Sequence, residues 1–246
     1  MRFEESTGQG IKSMEDWQGL YEKSRKLHHW KPGRSAYSIA DFMLNHHGGN
    51  GLQDLVSEAI GQAVVLERCV PEFEQRFDAF GRGRVHDLAV FGRTASGERL
   101  FVGVEAKVDE TFGETVGAVY LQAKARRTDQ DIATNVPERI ERLVGMHCTD
   151  ADAATFDVRY QLLYATAGTL AAQAEQHVLV VFVFKTPLYD ETVGASNLTD
   201  YLRFMEKVGA TSLELNDAGV IGHRLQVGGR PLIALHQYVR LVETRS

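Results

Sequence analysis

Residues 85–107 read V-H-D-L-A-V-F-G-R-T-A-S-G-E-R-L-F-V-G-V-E-A-K, and the pairing of this stretch decides the fold. Two apolar runs with strand-like alternation flank the turn-forming A-S-G, which predicts a β-hairpin. A three-residue turn at Ala95-Ser96-Gly97 has Gly97 at the position that needs left-handed backbone. That turn sets Ala89 across from Gly103 and Asp87 across from Glu105. Parity then places Asp87, Ala89, Phe91, Phe101, Gly103, Glu105 and Lys107 on one face, and Leu88, Val90, Leu100, Val102, Val104 and Ala106 on the other. A two-residue turn at Ser96-Gly97 slips the register by one and moves Asp87 to the opposite face from Glu105.

The second face is uniformly apolar and must be core. On the first, two carboxylates face each other across the strands, where like charges repel. Ala89 and Gly103 beside them leave space rather than filling it. Two readings follow. Either this face is solvated and carries a surface ion cluster, or a divalent cation lies between the carboxylates. Oxygen ligands with one or two carboxylates suit Mg2+ or Mn2+.

Composition narrows the class. The chain has 246 residues, 43% hydrophobic and 24% charged, which is ordinary for a globular protein with a sizeable core. No apolar run is long enough to span a bilayer, and the polar start M-R-F-E-E-S-T-G-Q-G is unlike a signal peptide, so a cytoplasmic location and no membrane partner are expected. Cys69 and Cys148 stand far apart, outside any C-x-x-C pattern, which argues against zinc and against a disulfide framework. The net charge of −6 is a mild argument against nucleic acid. A local basic surface is nevertheless available at Lys23, Arg25, Lys26, Lys31 and Arg34.

Residues 1–13 lack periodicity and read as a frayed terminus. Helical spacing then runs through Met14, Trp17, Leu20 and Tyr21, and Pro32-Gly33 breaks it. Further helices are expected over S-A-Y-S-I-A-D-F-M-L-N and G-L-Q-D-L-V-S-E-A-I-G-Q. After Pro71 the period turns strand-like up to the hairpin. Thr115–Arg127 returns to helix, and V-P-E-R-I-E-R-L-V opens another with Pro137 in its first turn. V-R-Y-Q-L-L-Y-A at 158–165 reads as a strand, and L-A-A-Q-A-E-Q as a short helix. H-V-L-V-V-F-V-F is the continuous apolar run of a strand covered on both faces. L-T-D-Y-L-R-F-M-E-K-V is a last helix, followed by strands and loops. The expectation is α/β: a mixed central sheet flanked by helices over 51–246, with an N-terminal helical extension over 1–50 packed on it.

Asp87, a strand–turn–strand and then Glu105-Ala106-Lys107 resemble the PD-(D/E)xK signature of the restriction-endonuclease-like nuclease superfamily. The resemblance covers roughly residues 50–185. His86 stands where the signature has proline. The order of elements is similar as well: a helix, a three-stranded meander bearing the motif, a helix, then further strands and helices. The resemblance implies Mg2+- or Mn2+-dependent hydrolysis of phosphodiester bonds in DNA, with RNA also open. Asp87 and Glu105 would be metal ligands, Lys107 would stabilise charge or position water, and Glu58 on the preceding helix would complete the shell. Gln122 and Lys124 match, weakly, the position of a Gln or basic residue on the helix after the motif. The alternative is a member of the same fold that binds nucleic acid or protein without cutting. Whether two chains pair is left open.

Other patterns carry less. His28-His29 and His46-His47 complete no zinc set. Trp17, Trp30 and Tyr37 read as packing residues, G-R-G-R at 81–84 as a plain turn, and no G-x-x-x-x-G-K-[ST] or G-x-S-x-G motif occurs.

Overall fold

The computed structural model describes residues 1–148 and 150–241. A meander begins the sheet: β2 (Val64–Gln75), β3 (Arg84–Thr94) and β4 (Arg99–Lys107), each antiparallel to the last. Four helices then cross over: α4 (Val116–Asp129), α5 (Val136–His147), the short α6 (Ala153–Asp157) and α7 (Tyr160–Ala171). They lead to β5 (Gln176–Phe184), which is parallel to β4. After α8 (Glu191–Lys207) come β6 (Thr211–Leu213), β7 (Val220–Val227) and β8 (Arg230–Val239), the last inserted beside β5 and parallel to it. With β1 (Arg2–Phe3) on β2, the mixed sheet runs β1-β2-β3-β4-β5-β8-β7-β6.

The hairpin register is the one set by the three-residue turn. Ala89 pairs with Gly103 and Leu88 with Val104, and Gly97 takes φ +86° with its N–H on the Thr94 carbonyl. Leu88, Val90, Val102, Val104 and Ala106 join one core with β5 residues Val178, Val180 and Phe182. The N-terminal helices α1 (Met14–Lys23), α2 (Ser35–Asn45) and α3 (Gly48–Ile60) close that core with Trp17, Tyr21, Ile39, Leu52 and Val56. On the other face, Leu179, Val181 and Val183 meet α5, α7 and α8 through Ile140, Leu162, Leu163 and Phe204. The sheet is therefore covered on both sides, which is why β5 is buried from His177 to Phe184.

Several expectations fail. L-A-A-Q-A-E-Q at 170–176 is not a short helix: Ala171 ends α7, and residues 172–175 are irregular chain leading into β5. Residues 158–165 belong mostly to α7, not to a strand: Leu162, Leu163, Ala165, Thr166 and Leu170 bury against the sheet at helical spacing. Its Tyr and Leu content mimicked strand composition, but tertiary burial decided. The first thirteen residues are not frayed. Arg2 and Phe3 pair with Arg68 and Cys69, Phe3 packs 6.1 Å from Trp17, and Ile11 is buried. Both cysteines are free and buried, and no described helix is long and apolar enough to cross a membrane.

Gly97 tests the register cheaply. A Cβ there would meet nothing within 4 Å, so Gly97→Ala isolates the left-handed backbone cost. Denaturant melts should show a loss of about 1–2 kcal/mol; an unchanged midpoint would mean the turn is not held as described.

Candidate active site

The β3–β4 ladder stops at Leu88, and the site begins there. Neither Asp87 nor its β2 neighbour Glu72 takes part in the ladder, and Glu72 adopts a left-handed φ of 49°. Past this break the strand faces exchange. His86 lies opposite Phe73, and its ring sits edge-on to Phe101, centroids 5.8 Å apart. Arg84 and His86, even-numbered, thus share the face of odd-numbered Ala89, Phe101 and Glu105. Asp87 is turned out of the ladder, and its Oδ2 accepts the Ala106 N–H at 2.7 Å. The expected direct pairing of Asp87 with Glu105 is corrected accordingly: the residues are near neighbours across diverging strands.

The positive charge beside Glu105 is a guanidinium. Arg84 grips Glu105 with both Nε (3.1 Å from Oε1) and Nη2 on Oε2. His86 Nδ1 lies 3.4 Å from Oε1, and Gln161 Nε2 donates to Oε2 at 2.9 Å. The other end of Gln161 accepts from Lys107 Nζ at 3.1 Å, so one amide bridges the Glu and the Lys. Glu105 is fully buried and Lys107 is 5% exposed, which removes the solvated-face reading. Helix α7 is what covers them. It can lie this close because Gly103 and Gly168 lack side chains: a Cβ on Gly103 would stand 2.5 Å from Thr169 Oγ1, and one on Gly168 would stand 2.6 Å from Arg84 Cβ. The space at Gly103 is filled by helix and by the His86 ring.

Electrostatics separate the two carboxylates. Burial would raise the pKa of Glu105, but the Arg84 guanidinium, helped by His86, overrides it and holds the carboxyl at about 2. Burial pushes Asp87 the other way, to about 7, and the charge on Glu105 adds to the rise; Arg84, the Ala106 N–H and Lys107 offset only part of it. Burial keeps His86 below its ordinary range and therefore neutral at pH 7.

The other expected site residues lie elsewhere. Glu58 sits in the last turn of α3, where its carboxylate accepts the Asn216 N–H. The chain passes directly from that helix end into Val64, at the hairpin-turn end of β2, bonded to Ser57 Oγ. Asp87 stands beside Glu72, roughly 26 Å along β2 at about 3.3 Å per residue. A short α3–β2 connection thus keeps Glu58 away from the cluster. Gln122 and Lys124 lie on the exposed face of α4, engaged with Glu114 and with the Tyr120 ring. Gln161, on α7, is the glutamine that meets Glu105 and Lys107, and it was missed because its segment was read as a strand. Arg84 was missed inside a stretch read as a turn. Among the described residues no group of three or more His, Cys, Asp or Glu converges as a metal-ligand set.

A cavity of about 250 Å³ opens onto Asp87, Arg84, Glu72 and Gln161. Its opposite wall is the N-terminal segment: Tyr21, Lys26, His29 and Ser35. That wall is tied down, since Tyr21 Oη and Lys26 Nζ both donate to Glu72 (3.1 and 2.8 Å).

A mixed sheet with helices on both faces, a broken meander and a buried charged cluster at the break define an α/β domain with one built polar site. The chain belongs to the family described as domain of unknown function (DUF6946), whose model matches residues 10–234, from ahead of α1 into β8. No curated protein and no solved structure matches it.

The raised Asp87 gives a stability test. A carboxyl whose folded pKa lies above its unfolded value favours folding at low pH, and that contribution is lost as pH rises through about 7. Asp87→Asn removes the ionisation, so its melting temperature should pull ahead of wild type between pH 5 and pH 8, by several degrees in EDTA. An equal difference at both pH values would contradict the burial of this carboxyl.

Proposed function

We propose that this protein is a metal-dependent nuclease of the restriction-endonuclease-like kind, hydrolysing phosphodiester bonds in DNA. The observation that carries the reading is the convergence of Asp87, Glu105, Lys107 and Gln161 at the parting of β3 and β4, beside a cavity with Lys26 on its far wall. The order of elements supports it too: α3, the meander, then α4, with β5 following in parallel to the strand that bears Glu105 and Lys107.

The donor set fits a hard divalent ion. Asp87 and Glu105, on adjacent strands, supply oxygen ligands, and Asp87 also lines the open cavity. Asp87 and Glu105 would hold Mg2+ or Mn2+, which when bound polarises a phosphate oxygen and lowers the pKa of its water. The chain's own groups do the rest. Gln161 fixes Lys107 Nζ against Glu105, so the ammonium is held in place before a phosphate arrives and can donate to it without reorganising. Tyr21 lines the cavity, and the buried Phe112 ring lies 5.3 Å from Lys107 Nζ, where it backs the ammonium.

One observation favours the second reading, a non-cleaving module that binds nucleic acid or protein. Arg84 already neutralises Glu105, as a resident cation would. The two readings part on Arg84→Gln. The substitution leaves Glu105 buried without a cation, at a cost of roughly 3–5 kcal/mol. In a metal enzyme, millimolar Mn2+ should restore much of the lost melting temperature, and more in the variant than in wild type; a variant indifferent to Mn2+ supports the guanidinium as the permanent cation.

Activity is the direct test. Purified protein with Mg2+ or Mn2+ should cut DNA, and Asp87→Ala and Lys107→Ala should each lower the rate by ~100-fold or more. Wild type as inert as both variants across DNA and RNA would end the enzyme reading.

A further inference from the structure

The cavity above Asp87 adjoins a second, of about 390 Å³, lined by His28, His29, Lys31, Arg34, Ser35 and Glu110. The two share His29 and Ser35. Between them they place Lys26, Lys31 and Arg34 along one path toward the charged cluster. Lys26 is paired to Glu72 and Arg34 to Asp109 (2.7 Å), whereas Lys31 is exposed and makes no ion pair among the described residues. Most of the basic residues noted between 23 and 34 are thus gathered at one place in a chain that is acidic as a whole.

Access is the deciding constraint. Glu105 and Lys107 are buried behind Arg84 and Gln161, and both of those covering residues line the first cavity, which therefore gives an approach to the cluster. The segment from Tyr21 to Ser35 forms the far wall of that cavity and is tied to β2 and to the loop after β4 by the pairs to Glu72 and Asp109. A duplex carries its phosphates on a stiff rod, too wide for a cavity of about 250 Å³. A single strand is narrower and flexible enough to bend its backbone from the second cavity toward the first, which share His29 and Ser35. Ring faces for unpaired bases stand beside the path. They are the exposed imidazoles of His28 and His29, which line the second cavity with ring centroids 4.0 Å apart, His29 also lining the first. Cations along a groove with interleaved rings are the chemistry that holds single strands without reading sequence.

We propose that this site takes a single DNA strand rather than a duplex, its backbone running from the Lys31–Arg34 cavity into the Asp87 cavity. The chemistry at the end of the path rests on the nuclease reading; the strand preference does not, and the test separates them. Anisotropy in EDTA with the full chain compares a labelled oligothymidylate of about 16 nucleotides with a duplex of the same length. The strand should bind at least ~10-fold more tightly. Lys31→Ala should flatten the plot of log affinity against log salt by about 0.7, the loss of one phosphate contact to a single strand. Lys31→Glu should weaken strand binding further, and its exposed position keeps the fold intact, which a melting curve checks. Equal or tighter duplex binding, no binding, or indifference to Lys31→Glu overturns the proposal. With Mn2+ added, a strand that binds but stays whole counts against the nuclease and leaves the strand preference standing. A duplex cut as fast as the strand counts against the preference and leaves the nuclease standing.

Discussion

The Arg84–Glu105 pair is the interaction on which the rest of the site depends. A fully buried carboxylate must be neutralised or hydrogen-bonded, and here a two-pronged guanidinium and an amide share the task. Meeting that demand requires Arg84 to reach the Glu105 face, which a regular strand would deny to it by parity. The break at Glu72 and Asp87 turns the strand over, brings Arg84 and His86 across, and releases Asp87 toward the cavity. One irregularity in the ladder therefore produces both the neutralised carboxylate and its poorly satisfied neighbour. Divergent environments for two adjacent carboxyls are what acid–base and metal chemistry use.

The hairpin itself was legible because its rules are local. Period two, a glycine at the left-handed turn position and an apolar second face fix the pairing of Ala89 with Gly103 without reference to anything distant. The cluster's other members were not legible, for two physical reasons. Whether Arg84 faces Glu105 depends on a left-handed Glu72, and glutamate carries no local signal for that conformation. Gln161 depends on reading Tyr160–Ala171 as helix, and Tyr, Leu and Thr there suit a strand as well. Its Ala and Gly positions are the trace of helix packing against Gly103 and Arg84, visible only once the neighbour is known. Glu58 shows the converse. The order of elements suggested it, and the length of one connection carried it to the other end of β2.

The N-terminal segment is part of the same structure as the sheet. Its helices close one of the two main cores, its first residues add to the edge of the sheet, and the family match begins before α1. The acidic net charge of −6 and the basic excess in the second cavity, Lys31 and Arg34 against Glu110, are compatible, because the charge is unevenly distributed. Lys26, Lys31 and Arg34 line the two cavities, and Glu72 and Asp109 hold that wall in position through Lys26 and Arg34.

The chain contains two tryptophans, and their placement makes the molecule its own reporter. Trp17 is fully buried in the core, so its emission follows folding and little else. Trp30 is partly exposed, sandwiched between Tyr37 and the Tyr21 that lines the cavity over Asp87. Unfolding alters both indoles, whereas anything that enters the cavity or shifts its wall perturbs Trp30 alone. The intrinsic fluorescence of this protein thus contains two separable signals, one for the fold and one for the state of its site.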